Sequence, residues 1–193
     1  MTLTRFLRVA LLATFSVLLA ACAKDNMKPE SADMAEKPMV QAQEEMIGEL
    51  YEAHHDGRIY VFYDRGLYEG FKKTGHTAYM MARIGGGPKG ETIKFALTGK
   101  DKKKREGITS VDLFDGKLKA SETFYGEVYA EGRIYVFDSY ADMENFRKIG
   151  EAPLRYTEIG SGPKGETVVY VLNSNNKKKK PVAMIEAFKK MNG

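Results

Sequence analysis

Three histidines, two aspartates four residues apart, a twice-used glycine-rich loop and two lysine runs have the residue types that could do chemistry. His54, His55 and His76 offer imidazole nitrogens to zinc or haem. Successive strand residues point to opposite faces, so His54 and His55 cannot share one ion without a bulge, and His55 with His76 is the pair left open. No recognised ligand spacing accompanies that pair, and the competing reading is of surface histidines near a turn. Asp138 and Asp142 stand where a helix should begin. Two carboxylates there suit a hard cation, and they equally suit the free amides and dipole of a helix start.

The string Gly-Pro-Lys-Gly-Glu-Thr occurs at 87–92 and again at 162–167. A phosphate loop of the Walker type needs Gly-Lys followed at once by Ser or Thr and a helix. Here Lys89 is followed by Gly90 and Glu91 and then by strand-forming residues, which excludes it. A hairpin loop accounts for the glycines and prolines but not for Lys89, Glu91, Lys164 and Glu166, so an anion contact stays open at those four. Lys100 to Arg105, broken by Asp101, and the unbroken Lys177, Lys178, Lys179 and Lys180 are either solvated loops or a surface for anionic headgroups or an acidic partner. There is no Ser-His-Asp order, no placeable glycosidase-like carboxylate pair and no nucleophilic Cys. No catalytic residue is assigned, no cofactor is required, and binding is expected rather than catalysis.

Cys22 is the single cysteine. Arg5 and Arg8 precede an apolar run, Val9 to Leu19, that is too short to span a bilayer and has the form of a secretory signal. Leu19-Ala20-Ala21-Cys22 resembles the lipobox of bacterial lipoproteins, which implies cleavage before Cys22, acylation of its sulfur and amine, and stable membrane anchoring. The competing reading is an ordinary signal with a chance Cys. By resemblance to enterobacterial sorting signals, Ala23 rather than Asp after the Cys implies an outer-membrane lipoprotein facing the periplasm. The sequence then divides into a signal peptide 1–21, a tether 22–46, and two folded segments, 47–121 and 122–193. Positions 23–45 carry three basic and six acidic residues with Pro29 and Pro38, the composition of a flexible linker. Met27, Met34, Met39 and Met46 could be soft copper(I) donors, but their spacings of 7, 5 and 7 are not the tight clusters such sites use.

The elements that must position these groups come in duplicate. Gly57 to Phe62 returns unaltered as Gly132 to Phe137, 75 positions later, and the match of 57–97 onto 132–172 holds 19 identities in 41 positions. Asp56-Gly57 and Glu131-Gly132 predict type I′ hairpins. Asp64 and Ser139 predict helix caps, and Gly75 and Gly150 predict helix ends. A second hairpin follows in each segment, near Tyr79–Ile84 with Thr92–Leu97 and near Arg155–Ile159 with Thr167–Leu172. The expected fold is α+β: two tandem ββαββ repeats, each an antiparallel sheet carrying one short helix. Ile59 to Phe62 should be covered by a helix on one face and the neighbouring repeat on the other. Val182, Met184, Ile185 and Phe188 predict a short C-terminal helix, whereas Ile108, Val111 and Leu113 lead into the linker between the repeats.

Tyr60-Val61-Phe62, a short gap and then Phe71 is similar to the YHS domain, a small sheet-and-helix module related to the TRASH metal-handling fold. Its signature is an aromatic strand, Cys, three residues, Cys, and a helical Phe. The spacing agrees in both repeats, but the cysteine positions hold Tyr63 and Leu67, then Asp138 and Asp142. The resemblance implies fold more than soft-metal binding. Two functions are therefore expected to compete: a non-catalytic binding or scaffold lipoprotein, and a periplasmic metal- or haem-handling accessory protein. Beyond position 45 the chain carries 25 basic and 20 acidic residues. An anionic lipid or another envelope protein suits that balance; nucleic acid is not expected for an exported protein.

Overall fold

Asp56-Gly57 and Glu131-Gly132 each place two successive residues at positive φ (50° and 66°; 53° and 71°), as a type I′ turn requires. They fold β1 (Met46–His55) onto β2 (Arg58–Phe62), and β5 (Lys119–Ala130) onto β6 (Arg133–Phe137), as antiparallel hairpins. The computed structural model describes residues 46–193. Cys22, the expected signal peptide and all of the expected tether except Met46 lie outside the described residues.

Each hairpin runs into a helix with the expected ends. Asp64 accepts the Leu67 N–H at 2.8 Å to start α1 (Arg65–Thr74), and Ser139 accepts the Asp142 N–H at 3.4 Å to start α3 (Tyr140–Ile149). Gly75 and Gly150 close them at φ 74° and 87°, left-handed values that a Cβ would strain. Antiparallel hairpins of β3 (Met80–Arg83) with β4 (Thr92–Ala96), and of β7 (Arg155–Glu158) with β8 (Thr167–Val171), follow. Two more helices complete the described residues, α2 (Thr109–Phe114) and α4 (Val182–Asn192).

The architecture is α+β, with four helices on one eight-stranded mixed sheet of order β3-β4-β2-β1-β5-β6-β8-β7. The expectation of antiparallel sheets is corrected: β2–β4, β6–β8 and the central β1–β5 pair are all parallel. The hairpins themselves are antiparallel. A helix intervenes between hairpins, however, and the helical crossover lets the second hairpin dock by its later strand, parallel to the strand before the helix. Where Ile108, Val111 and Leu113 lead toward the second segment, a helix not expected from the sequence, α2, forms and buries Val111 and Leu113.

Both faces of the sheet are buried. One core joins Ile59, Val61, Phe95 and Phe137 to α2 and to Met143 and Phe146 of α3. The other joins Tyr60, Phe62, Val136 and Tyr170 to Tyr68 and Phe71 of α1 and to Met184, Ile185 and Phe188 of α4. The second face of β2 thus shares a core with α2 as well as with residues of the second segment. Tyr60 meets Phe71 and Tyr135 meets Phe146 with the same geometry, centroids 4.4 Å apart and planes at 39°, although the two pairs lie in opposite cores. Each such ring is worth about 1.5–3 kcal/mol through burial alone.

Candidate functional site

Strand register decides which ends meet. Val61 faces Phe95 in the parallel β2–β4 pair, and Val136 faces Tyr170 in β6–β8, so the chain leaves β4 and β8 at the end where β2 and β6 finish. β1 is antiparallel to β2, with Tyr51 opposite Phe62, so Met46 enters at that same end. Both basic runs follow β4 and β8 directly. Lys100, Lys102, Lys103, Lys104 and Arg105, together with Lys177, Lys178, Lys179 and Lys180, are all exposed there.

Each basic loop is pinned to a helix start. Asp101 is buried and accepts hydrogen bonds from the Tyr63 hydroxyl and from Thr98 Oγ1 (2.5 Å), and Lys104 Nζ pairs with it at 2.8 Å. Those bonds, from Lys104 first and then Thr98 and Tyr63, hold its carboxyl far below the usual range. In the second segment the polarity is exchanged. Asn173 Nδ2 donates to Asp142 at 2.8 Å and Asn176 Nδ2 to Asp138 at 3.5 Å, so the carboxylates sit on the strand and helix side and the amides on the loop. Burial first and the Asp142 charge second push the Asp138 carboxyl up. Tyr63, Asp138 and Asp142 therefore all carry hydrogen bonds that tether a basic loop.

Lys89, Glu91, Lys164 and Glu166 lie at the opposite end of the sheet and have protein partners. Glu91 accepts the Lys89 N–H at 2.8 Å and Glu166 the Lys164 N–H at 2.7 Å, closing each loop on itself. The ammonium groups reach across to the other segment: Lys89 Nζ donates to the Ile149 carbonyl of α3 (3.2 Å), and Lys164 Nζ to the Lys72 carbonyl of α1 (3.3 Å). These are helix C-terminal carbonyls, where a cation is favoured. A polar cleft of about 660 Å³ at this end sets Arg133 and Arg155 against Glu131 and Glu151, so its charges balance.

Each histidine has a protein partner of its own. His55 lies edge-on to Phe71 and 3.4 Å from Asp56, His76 Nδ1 contacts the Thr74 carbonyl at 3.1 Å, and His54 Nε2 lies 3.5 Å from Glu52. Among the described residues no three His, Cys, Asp or Glu side chains cluster as metal ligands, and no helix is long and apolar enough to cross a membrane.

Sequence reasoning missed the buried charges. Glu52 and Glu127, 75 positions apart on the central strands, are both fully buried. Glu52 accepts two hydrogen bonds from Arg147 of α3, one from Nε at 2.8 Å; Glu127 accepts from Tyr125 (2.5 Å) and Asn192 (2.8 Å), with Arg65 of α1 at 3.8 Å. The available signal was a glutamate at the same place in two otherwise apolar stretches, Leu50 to Ala53 and Phe124 to Ala130.

Comparison with protein-family models, curated proteins and solved structures gives no match.

Proposed function

We propose that this is a lipid-anchored envelope lipoprotein, acylated at Cys22, whose folded part is a non-catalytic binding module presenting its basic end to an anionic surface. The observation that carries it is the coincidence at one sheet end. Nine exposed basic residues from two separate loops share that end with Met46, where a chain anchored at Cys22 would enter the fold. Lysines held there gain roughly 1 kcal/mol each near an anionic membrane. The address belongs to the same reading: an outer-membrane lipoprotein facing the periplasm, partnered by anionic lipid or another envelope protein.

Two tandem ββαββ repeats are the finer reading of the fold. The 19 identities in 41 positions support it, and so does the equal register of Arg58 on Thr92 and Arg133 on Thr167. A two-fold axis running along the parallel β1–β5 pair would relate them. Such an axis keeps equivalent loops at the same end while turning equivalent helices to opposite faces, as the two cores have them.

The test has two arms. Labelled palmitate should enter the wild-type protein and not Cys22→Ala. The full chain carrying Cys22→Ala should bind phosphatidylglycerol vesicles at low salt, and neutralising Lys177, Lys178, Lys179 and Lys180 to Gln should release it. Equal labelling of Cys22→Ala, or vesicle binding indifferent to the four lysines, would sink the reading.

A further inference from the structure

A largely apolar groove of about 270 Å³ runs between the first turns of α4 and strands β5 and β6, with Tyr125, Val136, Met184 and Ala187 among its lining and Glu122 and Asp138 as its two carboxylates. Past Asp138, Ala183 and Met184, which line both, it continues into a cleft of about 360 Å³ bordered by Asn176, Lys179 and Lys180. Apolar wall gives way to cations within one continuous depression. That depression lies at the end of the sheet where β6 finishes.

The start of α4 adds to the polar part. Pro181 at its N-cap supplies no side-chain hydrogen bond, and no acidic residue lies in its first turn. Free amides and the positive end of the helix dipole therefore stand beside Lys179, at the junction lined by Ala183 and Met184. Lys180 is partly committed elsewhere, 3.9 Å from Glu158 and over the Tyr156 ring.

We propose that this groove binds a free single-chain anionic amphiphile, of the fatty-acid or lysophospholipid kind, its chain along Tyr125, Ala183 and Ala187 and its anionic group beside Lys179. The two volumes sit near the small end of ligand sites, about 300–1,000 Å³, which suits one acyl chain rather than two. Asp138 stands at the junction, already engaged by Asn176, so the anionic group is directed to the lysine side. The inference deepens the reading of this end as membrane-facing.

The experiment is calorimetric titration of the full chain carrying Cys22→Ala, with dodecyl phosphate below its micellar concentration. Saturable one-site binding is expected, about tenfold tighter than for dodecyltrimethylammonium, and inorganic phosphate alone should not bind. Ala187→Phe, which fills the groove, should weaken dodecyl phosphate about tenfold with an unchanged melting curve, and Lys179→Gln should remove most of the preference for the anionic head. Should Ala187→Phe lower the melting temperature, Ala183→Leu narrows the junction from an exposed position and should weaken binding in the same way. Equal affinity for the cationic analogue, or binding untouched by both filling variants, overturns the proposal. Ala187→Phe should keep vesicle binding. Loss of vesicle binding with retained dodecyl phosphate affinity would count against the surface reading alone, and the reverse against the groove alone.

Discussion

A glutamate with no exposed surface at the centre of a sheet is stable only if something answers its charge. Burial acts first and would raise the Glu52 carboxyl. The Arg147 guanidinium first, then His54 at 3.5 Å and the hydrogen bonds from Arg147, outweigh it and hold the group below its usual value near 4.5. A carboxyl whose folded value is depressed contributes stability that is complete above the usual value and fades as pH falls through the folded one. Glu52→Gln should therefore do two things. It leaves Arg147 buried without a counter-charge, at a cost of about 3–5 kcal/mol near neutral pH. It also removes part of the acid sensitivity, so that urea midpoints measured from about pH 7 to about pH 3 fall less steeply than in the wild type. Parallel slopes would mean that Glu52 is not ionised in the folded protein.

Elements were legible where one or two residues dictate the backbone. Asp-Gly and Glu-Gly wrote the first hairpins, Asp64 and Ser139 the helix starts, and Gly75 and Gly150 the helix ends. The sequence could not show which face each helix would take, because Tyr60 and Tyr135 are the same residue in the same string yet belong to different cores. Without the faces, the pairings of Arg147 with Glu52 and of Lys89 with Ile149 were out of reach, since each crosses between segments. α2 was missed for a simpler reason: six residues are too few for a periodicity to register. The paired lysines give an element-scale prediction. Lys89→Met and Lys164→Met each remove a cation from a helix C-terminus and should each cost about 0.3–1 kcal/mol. The two contacts share no partner, so the double variant should equal the sum within about 0.5 kcal/mol. Urea denaturation checks both statements; unchanged midpoints would return Lys89 and Lys164 to the pool of free cations available to an anion.

At the scale of the whole sheet, the seam is β1 against β5, with Leu50 opposite Gly126 and Ala53 opposite Tyr129. Cutting there would do more than expose two strand edges. Arg65 of α1 pairs with Glu127 of β5, Arg147 of α3 pairs with Glu52 of β1, and the core on each face draws residues from both segments. A half separated at the seam would keep its own hairpins and helices. It would also hold a glutamate facing water or apolar surface instead of its partner, and one face of its sheet would lose much of its cover. Chains of that size rarely supply more than about 3–5 kcal/mol from one core, and an uncompensated buried charge can consume all of it. Fragments 46–118 and 119–193 should therefore each lack a cooperative thermal transition. Mixed in equal amounts they should regain one, with β1 and β5 amides protected from exchange only in the mixture. A lone half that melts cooperatively would show that the contacts across the seam are additions to a fold complete without them, and would move the origin of its stability into the single ββαββ unit.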